Sequence, residues 1–179
     1  MKIAVLTGSP HKNGTTALLA DRFIEGARAK GHEVYRFDAA FRNIHPCLGC
    51  DACGMSGPCV HKDDKDDIET EAIQKFMEAD VIALVSPVYY FALTAQLKTV
   101  IDRFYSRTYD INGKQSVLLA AGGSNTPLTM RSITKHYETL AGYMHWQDRG
   151  RVLAPGCPTR EAIAKTEYPQ KAFELGMSL

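Results

Sequence analysis

Apolar positions along this chain recur with two different periods. Short unbroken runs at Lys2 to Leu6 (KIAVL), Val81 to Val85 (VIALV) and Ser116 to Ala121 (SVLLAA) have the length of strands buried on both faces. Glu33 to Asp38 (EVYRFD) reads as another strand, and Arg151 to Ala154 as a last one. Between these runs the apolar residues shift to helical spacing. Leu19, Phe23 and Ala27 mark one helix, and Ile68, Ala72, Ile73, Phe76 and Met77 a second. Leu97, Val100, Ile101 and Phe104 mark a third, and Ile133, Tyr137, Leu140 and Met144 a fourth. A final helix is expected from Glu167 to Met177. Gly31 suits the end of the first helix, Asp66 or Asp67 can cap the second, and Thr126-Pro127 is a good start for the fourth.

Repeated strand–helix alternation predicts a parallel sheet with right-handed crossovers, a three-layer α/β fold. No internal repeat, low-complexity tract or linker interrupts it. The 179 residues suffice for a single domain with a core that needs no disulfide staples. An irregular, cysteine-bearing stretch, about residues 42–65, is expected as an insertion in that domain. Its acidic end, Asp63, Asp64, Asp66 and Asp67, reads as a metal site or, more commonly, as a solvated helix start.

Charge narrows the function. Lys+Arg 21 against Asp+Glu 20 leaves a formal charge of +1, which argues against a general nucleic-acid binder. The longest nearly apolar stretch, Val81 to Leu93, is too short to span a membrane and is broken by Ser86-Pro87. The run Ile3 to Leu6 stops at Thr7-Gly8-Ser9-Pro10, unlike a signal peptide. A soluble, cytoplasmic protein is expected, with neither nucleic acid nor membrane as partner.

In open α/β sheets ligands sit at the carboxyl ends of the strands. The first such loop, Gly8-Ser9-Pro10-His11-Lys12-Asn13-Gly14-Thr15-Thr16, joins a buried strand to a helix start and is rich in donors. It can turn several N–H groups toward one anion, or be an ordinary capped turn. The nucleotide-hydrolase pattern fails, since Gly14 follows Gly8 after five residues with no lysine behind it. The dinucleotide pattern also fails, although Asp38 ends the second strand where a ribose-binding acid would sit. A single terminal phosphate, as in a flavin mononucleotide, is the guest that remains.

After the central strand, Pro87-Val88-Tyr89-Tyr90-Phe91 presents three consecutive aromatics that no regular element can bury on one face. Such a loop can cover a flat flavin ring, or its rings can fill core or a subunit interface. Ala121-Gly122-Gly123-Ser124-Asn125 permits close backbone approach to a ligand, or is a plain turn.

Of the five cysteines, four form Cys47-x2-Cys50-x2-Cys53-x5-Cys59. Such spacing in an intracellular chain points to metal or redox chemistry before structural disulfides. The opening matches the ferredoxin run, whereas the fourth spacing allows a self-contained quartet. An iron–sulfur cluster, zinc, and thiols free or oxidised are the readings. Cys157 stands apart as a bystander, and His45 and His61 flank the quartet as ordinary surface residues.

Gly8-Ser9-Pro10-x-Lys12-Asn13-Gly14-x-Thr16 resembles the phosphate loop of the NADPH-dependent FMN reductase branch of the flavodoxin-like superfamily. Ser86-Pro87-Val88-Tyr89 and Leu97-Lys98-x-x-Ile101-Asp102-Arg103 agree with it, and the likeness extends from about Met1 to Met144. The resemblance implies a flavodoxin-like three-layer sandwich with a five-stranded parallel sheet in order 2-1-3-4-5. It implies FMN held by three loops: Ser9, His11, Asn13, Gly14, Thr15 and Thr16 at the phosphate, Pro87, Val88, Tyr89, Tyr90 and Phe91 at the isoalloxazine, and Gly122 and Gly123 beyond. Relatives commonly carry arginine at the position of His11, whose imidazole offers a hydrogen bond but no permanent charge. Asp102-Arg103 belongs to the resembling pattern, and a structural ion pair behind the flavin loop is its expected role.

The cysteine spacing, in a long loop after the second strand, is similar to that of the iron–sulfur flavoproteins of anaerobes. That likeness implies one [4Fe–4S] cluster held by Cys47, Cys50, Cys53 and Cys59 beside the flavin of a neighbouring subunit. The implied activity is that of an FMN-dependent oxidoreductase with NAD(P)H as co-substrate or a ferredoxin-type donor. It would act as a homodimer or homotetramer, with no protein acid or base as catalytic group. The alternatives are a non-enzymatic electron carrier with FMN and the cluster, and a flavin-free redox sensor or zinc-stabilised binding protein.

Overall fold

The structure, a computed structural model, describes residues 1–63 and 68–179. The chain runs β1 (Lys2–Thr7), α1 (Thr15–Ala29), β2 (Glu33–Asp38), α2 (Gln74–Glu78), β3 (Val81–Pro87), α3 (Ala95–Arg103) and α4 (Thr108–Ile111). It continues with β4 (Gln115–Ala121), α5 (Leu128–Tyr143), β5 (Gln147–Ala154), α6 (Arg160–Ala164) and α7 (Tyr168–Met177). All five strands are parallel, in the order β2-β1-β3-β4-β5. The expected helix start at Asp66 or Asp67 lies outside the described residues, as does Asp64.

Side-chain alternation on the inner strands divides the core between the two faces of the sheet. From β1 and β3, Ala4, Leu6, Ile82 and Leu84 face one layer, where α2, α3 and α5 supply Phe76, Val100 and Tyr137. Ile3, Val5, Val81, Ala83 and Val85 face the other, against Leu19 and Phe23 of α1 and Ala172 of α7. These strands are continuously apolar because both faces are covered, and each large side chain so buried contributes about 1.5–3 kcal/mol.

Helices α1 and α7 cross in near backbone contact. A Cβ on Gly26 would stand 2.1 Å from the Phe173 carbonyl oxygen, and one on Gly176 2.2 Å from that of Phe23. The C-terminal segment is thereby fixed to the helix that follows β1.

Three boundaries differ from the sequence pattern, the second helix among them, because Glu69–Ile73 forms a π-helical segment ahead of α2. β5 starts at Gln147 rather than Arg151, because its first half is an exposed sheet edge of polar residues. A register irregularity opposite Ser116 to Leu118 and the positive φ of Gly150 (139°) further mask its alternation. The third helix passes into a 3-10 turn (Phe104–Arg107) and the single turn of α4, too short for a period to register. Among the described residues no helix is long and apolar enough to cross a membrane.

Candidate functional site

Register places the loops side by side. Thr7 of β1 pairs with Val85 of β3, and Pro87 of β3 pairs with Ala121 of β4. Hydrogen bonding continues past the strand ends, through Gly8 N–H to Val85 O at 3.0 Å, Val88 N–H to Ala121 O at 2.8 Å and Gly122 N–H to Ala154 O at 3.0 Å. A cavity of about 730 Å³ opens there. That volume lies in the range of small-molecule and cofactor sites.

Ser9, His11, Asn13, Gly14 and Thr15 line this cavity from the first loop, Pro87, Val88 and Tyr89 from the second, and Gly122 and Gly123 from the third. Thr16, Tyr90 and Phe91 do not. Thr16 is buried in the first turn of α1. Tyr90 and Phe91 form the tip of a tight turn closed by paired hydrogen bonds between Tyr89 and Ala92, of 3.2 and 3.1 Å. Both have positive φ (46° and 66°), which bulky residues adopt only under strain of about 1–3 kcal/mol each. Tyr90 is fully exposed.

The start of α1 suits an anion. Gly14 occupies its N-cap without a side-chain cap, and the first turn holds no acidic residue. Its leading N–H groups lack the usual side-chain partner, and they carry the positive end of the helix dipole. The Ser9 hydroxyl accepts from His11 N–H (3.1 Å), and Gly14 N–H donates to His11 O (3.1 Å), so the loop folds back on itself. Thr94 holds the loop from behind, donating to Gly8 O at 2.8 Å. Asp38, the candidate ribose acid, is consumed elsewhere: it accepts from Thr7 Oγ1 (2.5 Å) and Arg36 Nε (2.9 Å) and does not line the cavity. A ligand with one terminal phosphate and a flat apolar body fits these walls.

A fourth wall was not anticipated. Cys157, Pro158, Thr159 and Arg160, beyond β5, also line the cavity. Cys157 N–H donates to Gly122 O at 2.8 Å, and burial raises its thiol above the ordinary range. The carboxyl-end rule that singled out the loops after the inner strands applies equally to the last strand, and was the available signal.

The cysteines lie in a loop that leaves the sheet after β2. Cys47, Cys50, Cys53 and Cys59 all line one small cavity, with Arg103 and Tyr105 on its wall. All four are free thiols, and Cys50 Sγ lies 3.4 Å from His61 Nε2. Among the described residues no three Cys, His, Asp or Glu side chains are gathered to hold one metal ion. Four thiols ranged around one cavity suit a cluster that distributes its bonds over several irons, and Asp51 and His61 share the cavity wall with them. The cavity is only about 20 Å³, so the loop must spread to admit such a group. Gly49 and Gly54, both at positive φ with open space around them, give it that freedom.

The loop is closed by a buried clasp. Arg103 and Asp63 are 2% and 0% exposed and pair at 3.1 Å. Arg103 also donates to His45 O (3.0 Å) and His61 O (3.3 Å), and Asp63 accepts from His45 N–H (2.7 Å). Both ends of the cysteine segment are thus joined. Asp102 turns instead to Lys98, at 2.5 Å. The ion pair expected of Asp102-Arg103 behind the flavin loop is thus replaced by two others, Arg103 with Asp63 behind the cysteine loop and Asp102 with Lys98. Tyr105 donates to Asp51 (2.5 Å), which pushes its phenol up to about 12, and Arg107 donates to Ser56 O (2.7 Å).

Comparison with known proteins bears on this arrangement. The sequence model of the NADPH-dependent FMN reductases matches residues 1–151. An iron–sulfur flavoprotein of Archaeoglobus fulgidus is 33% identical over 149 residues, 81% of this chain and 61% of that protein. A Bacillus subtilis protein, whose name describes an NAD(P)H-dependent FMN-containing oxidoreductase, is 26% identical over 87% of this chain and 86% of its own length. An NAD(P)H:quinone oxidoreductase from Methanothermobacter marburgensis superposes with TM-score 0.71 at 18% identity, over 99% of this chain and 94% of that one. The chain spans about half to three fifths of the length of the first iron–sulfur flavoproteins it matches.

Proposed function

The chain belongs to the NADPH-dependent FMN reductase family, and from that premise we propose that it is an FMN-dependent oxidoreductase whose cysteine loop carries an iron–sulfur cluster. One observation carries the reading. The uncapped start of α1 and the loops after β1, β3 and β4 meet in a single cavity of flavin size.

Bound FMN would supply the redox chemistry, accepting electrons from NAD(P)H or a ferredoxin-type donor and passing them on. The chain's own residues supply place and environment. Ser9, Asn13 and Thr15, with the α1 N–H groups, would receive the phosphate; Pro87, Val88 and Tyr89 would flank the ring. Gly122 is required by packing against α5, since a Cβ there would meet Thr129 Cγ2 at 2.5 Å. Cys47, Cys50, Cys53 and Cys59 would hold the cluster. The exposed Tyr90 and Phe91, with Leu48 and Tyr143, support a homodimer or homotetramer in which a second copy covers them.

Anaerobic purification followed by absorption spectra and iron and sulfide assays tests this. One FMN per chain bleached by NADPH or NADH, with about four irons per chain, is expected. Bleaching by reduced ferredoxin alone would make the protein a carrier. A folded, colourless preparation that refuses FMN would overturn the proposal.

A further inference from the structure

A flavin phosphate brings close to two negative charges, and the loop that should receive it lacks a committed cation. His11 carries no permanent charge. Lys12 follows it and also lines the cavity, but its ammonium lies over the Phe41 ring, 5.1 Å from the centroid. Hydroxyls, an amide and N–H dipoles are what this loop otherwise offers.

Arg160 stands opposite, on the cavity's fourth wall. Its guanidinium is held loosely, donating to Gly14 O at 3.4 Å and lying 3.8 Å from Asp21 Oδ2. Both contacts are long for charged partners. The Asp21 carboxylate already accepts a 2.8 Å bond from Arg36, so Arg160 is its weaker claimant. The Arg160 side chain is 36% exposed, and a carbonyl oxygen of the phosphate loop is the nearest partner of its guanidinium. Its backbone is firmly placed, because Thr159 caps α6 by accepting from Ala162 N–H at 3.2 Å, and Ile163 is buried against the α1 layer.

We infer that Arg160 is the phosphate cation of this flavin site, supplied by the segment after β5, outside the span matched by the family. On binding, the guanidinium exchanges Gly14 O and Asp21 for the phosphate oxygens. The cation that the first loop does not commit thus enters from the segment after β5. This rests on the FMN reading above and deepens it.

The test compares FMN with riboflavin, which lacks the phosphate, by fluorescence titration of the full-length chain and its Arg160→Gln and Arg160→Lys variants. Wild type should prefer FMN. Arg160→Gln should weaken FMN by about 10- to 100-fold while leaving riboflavin within about twofold, and Arg160→Lys should fall between. Added salt should weaken FMN binding in wild type more than in Arg160→Gln. Equal loss of both flavins, or an unchanged FMN preference in Arg160→Gln, would overturn the Arg160 assignment alone. A wild type that binds FMN no better than riboflavin would overturn the phosphate-loop reading on which it rests. Thermal melting of each variant separates misfolding from loss of the contact.

Discussion

The pocket at the carboxyl ends of the strands and the cysteine loop beside α3 are built in different ways. Backbone hydrogen bonds extend the sheet ladder into the pocket at Gly8, Val88 and Gly122. Its walls inherit the rigidity of the core. The cysteine loop has no ladder to extend. Side chains tie it back, chiefly Arg103, Asp63, Tyr105 and Arg107, and its turn holds Asp51 and Met55 at positive φ. A ligand can enter the first site with little rearrangement, whereas the second must be shaped by what it binds.

Breaking the clasp should expose that contrast most strongly. Arg103→Met leaves the buried Asp63 carboxylate unpaired and should cost about 3–5 kcal/mol in urea denaturation. If the sites are independent, purified Arg103→Met should lose iron while keeping its flavin. Combining it with Asp63→Leu removes the orphaned Asp63 charge but leaves the buried Glu69, which lies 4.0 Å from Arg103 in the wild type. The double variant should recover part of the stability but not the iron, because the ends of the loop stay untied. Retention of iron in the double variant would show that the clasp does not shape the cysteine site.

Glycine substitutions probe the same difference on a smaller scale. A Cβ on Gly8 would stand 2.3 Å from Thr94 Oγ1 and 2.6 Å from Leu97 Cβ. Gly8→Ala should therefore cost about 1–3 kcal/mol and release flavin, because the loop cannot move without leaving its ladder. Gly49 has nothing within 4 Å and a φ of 65°. Gly49→Ala should cost only about 1 kcal/mol of backbone strain and leave flavin retention unchanged. Denaturation curves paired with flavin-to-protein ratios distinguish the two.

The same contrast explains what the sequence disclosed. Continuous apolar runs such as VIALV exist because both sheet faces are covered, so the parallel sheet and its strand-end loops follow from local pattern, whereas the strand order was legible only through the family resemblance. The four cysteines announce themselves by spacing. The clasp does not, since Arg103 and Asp63 are 40 positions apart and neither breaks a periodicity. Asp63 sits in an acidic run whose bland reading is a solvated helix start, yet it is fully buried. Arg160 is nearly as silent: it lies beyond the end of β5, which the sequence pattern places correctly at Ala154, and only the carboxyl-end rule points to its segment. Residues whose roles arise only from tertiary juxtaposition leave no periodic trace.

The smallest effect sharpens the comparison within the flavin pocket itself. Asp21 is half exposed and shared between Arg36 and Arg160, so removing its charge should alter stability by no more than about 1 kcal/mol. Its influence on binding has a definite sign. If Arg160 is the phosphate cation, Asp21, 3.8 Å from it, competes with the phosphate, and Asp21→Asn removes that competitor. FMN affinity should therefore rise by about two- to threefold, with riboflavin unaffected. A fall in FMN affinity would mean that Asp21 orients the guanidinium rather than competing for it. The fourth wall would then be as preorganised as the loops at the strand ends.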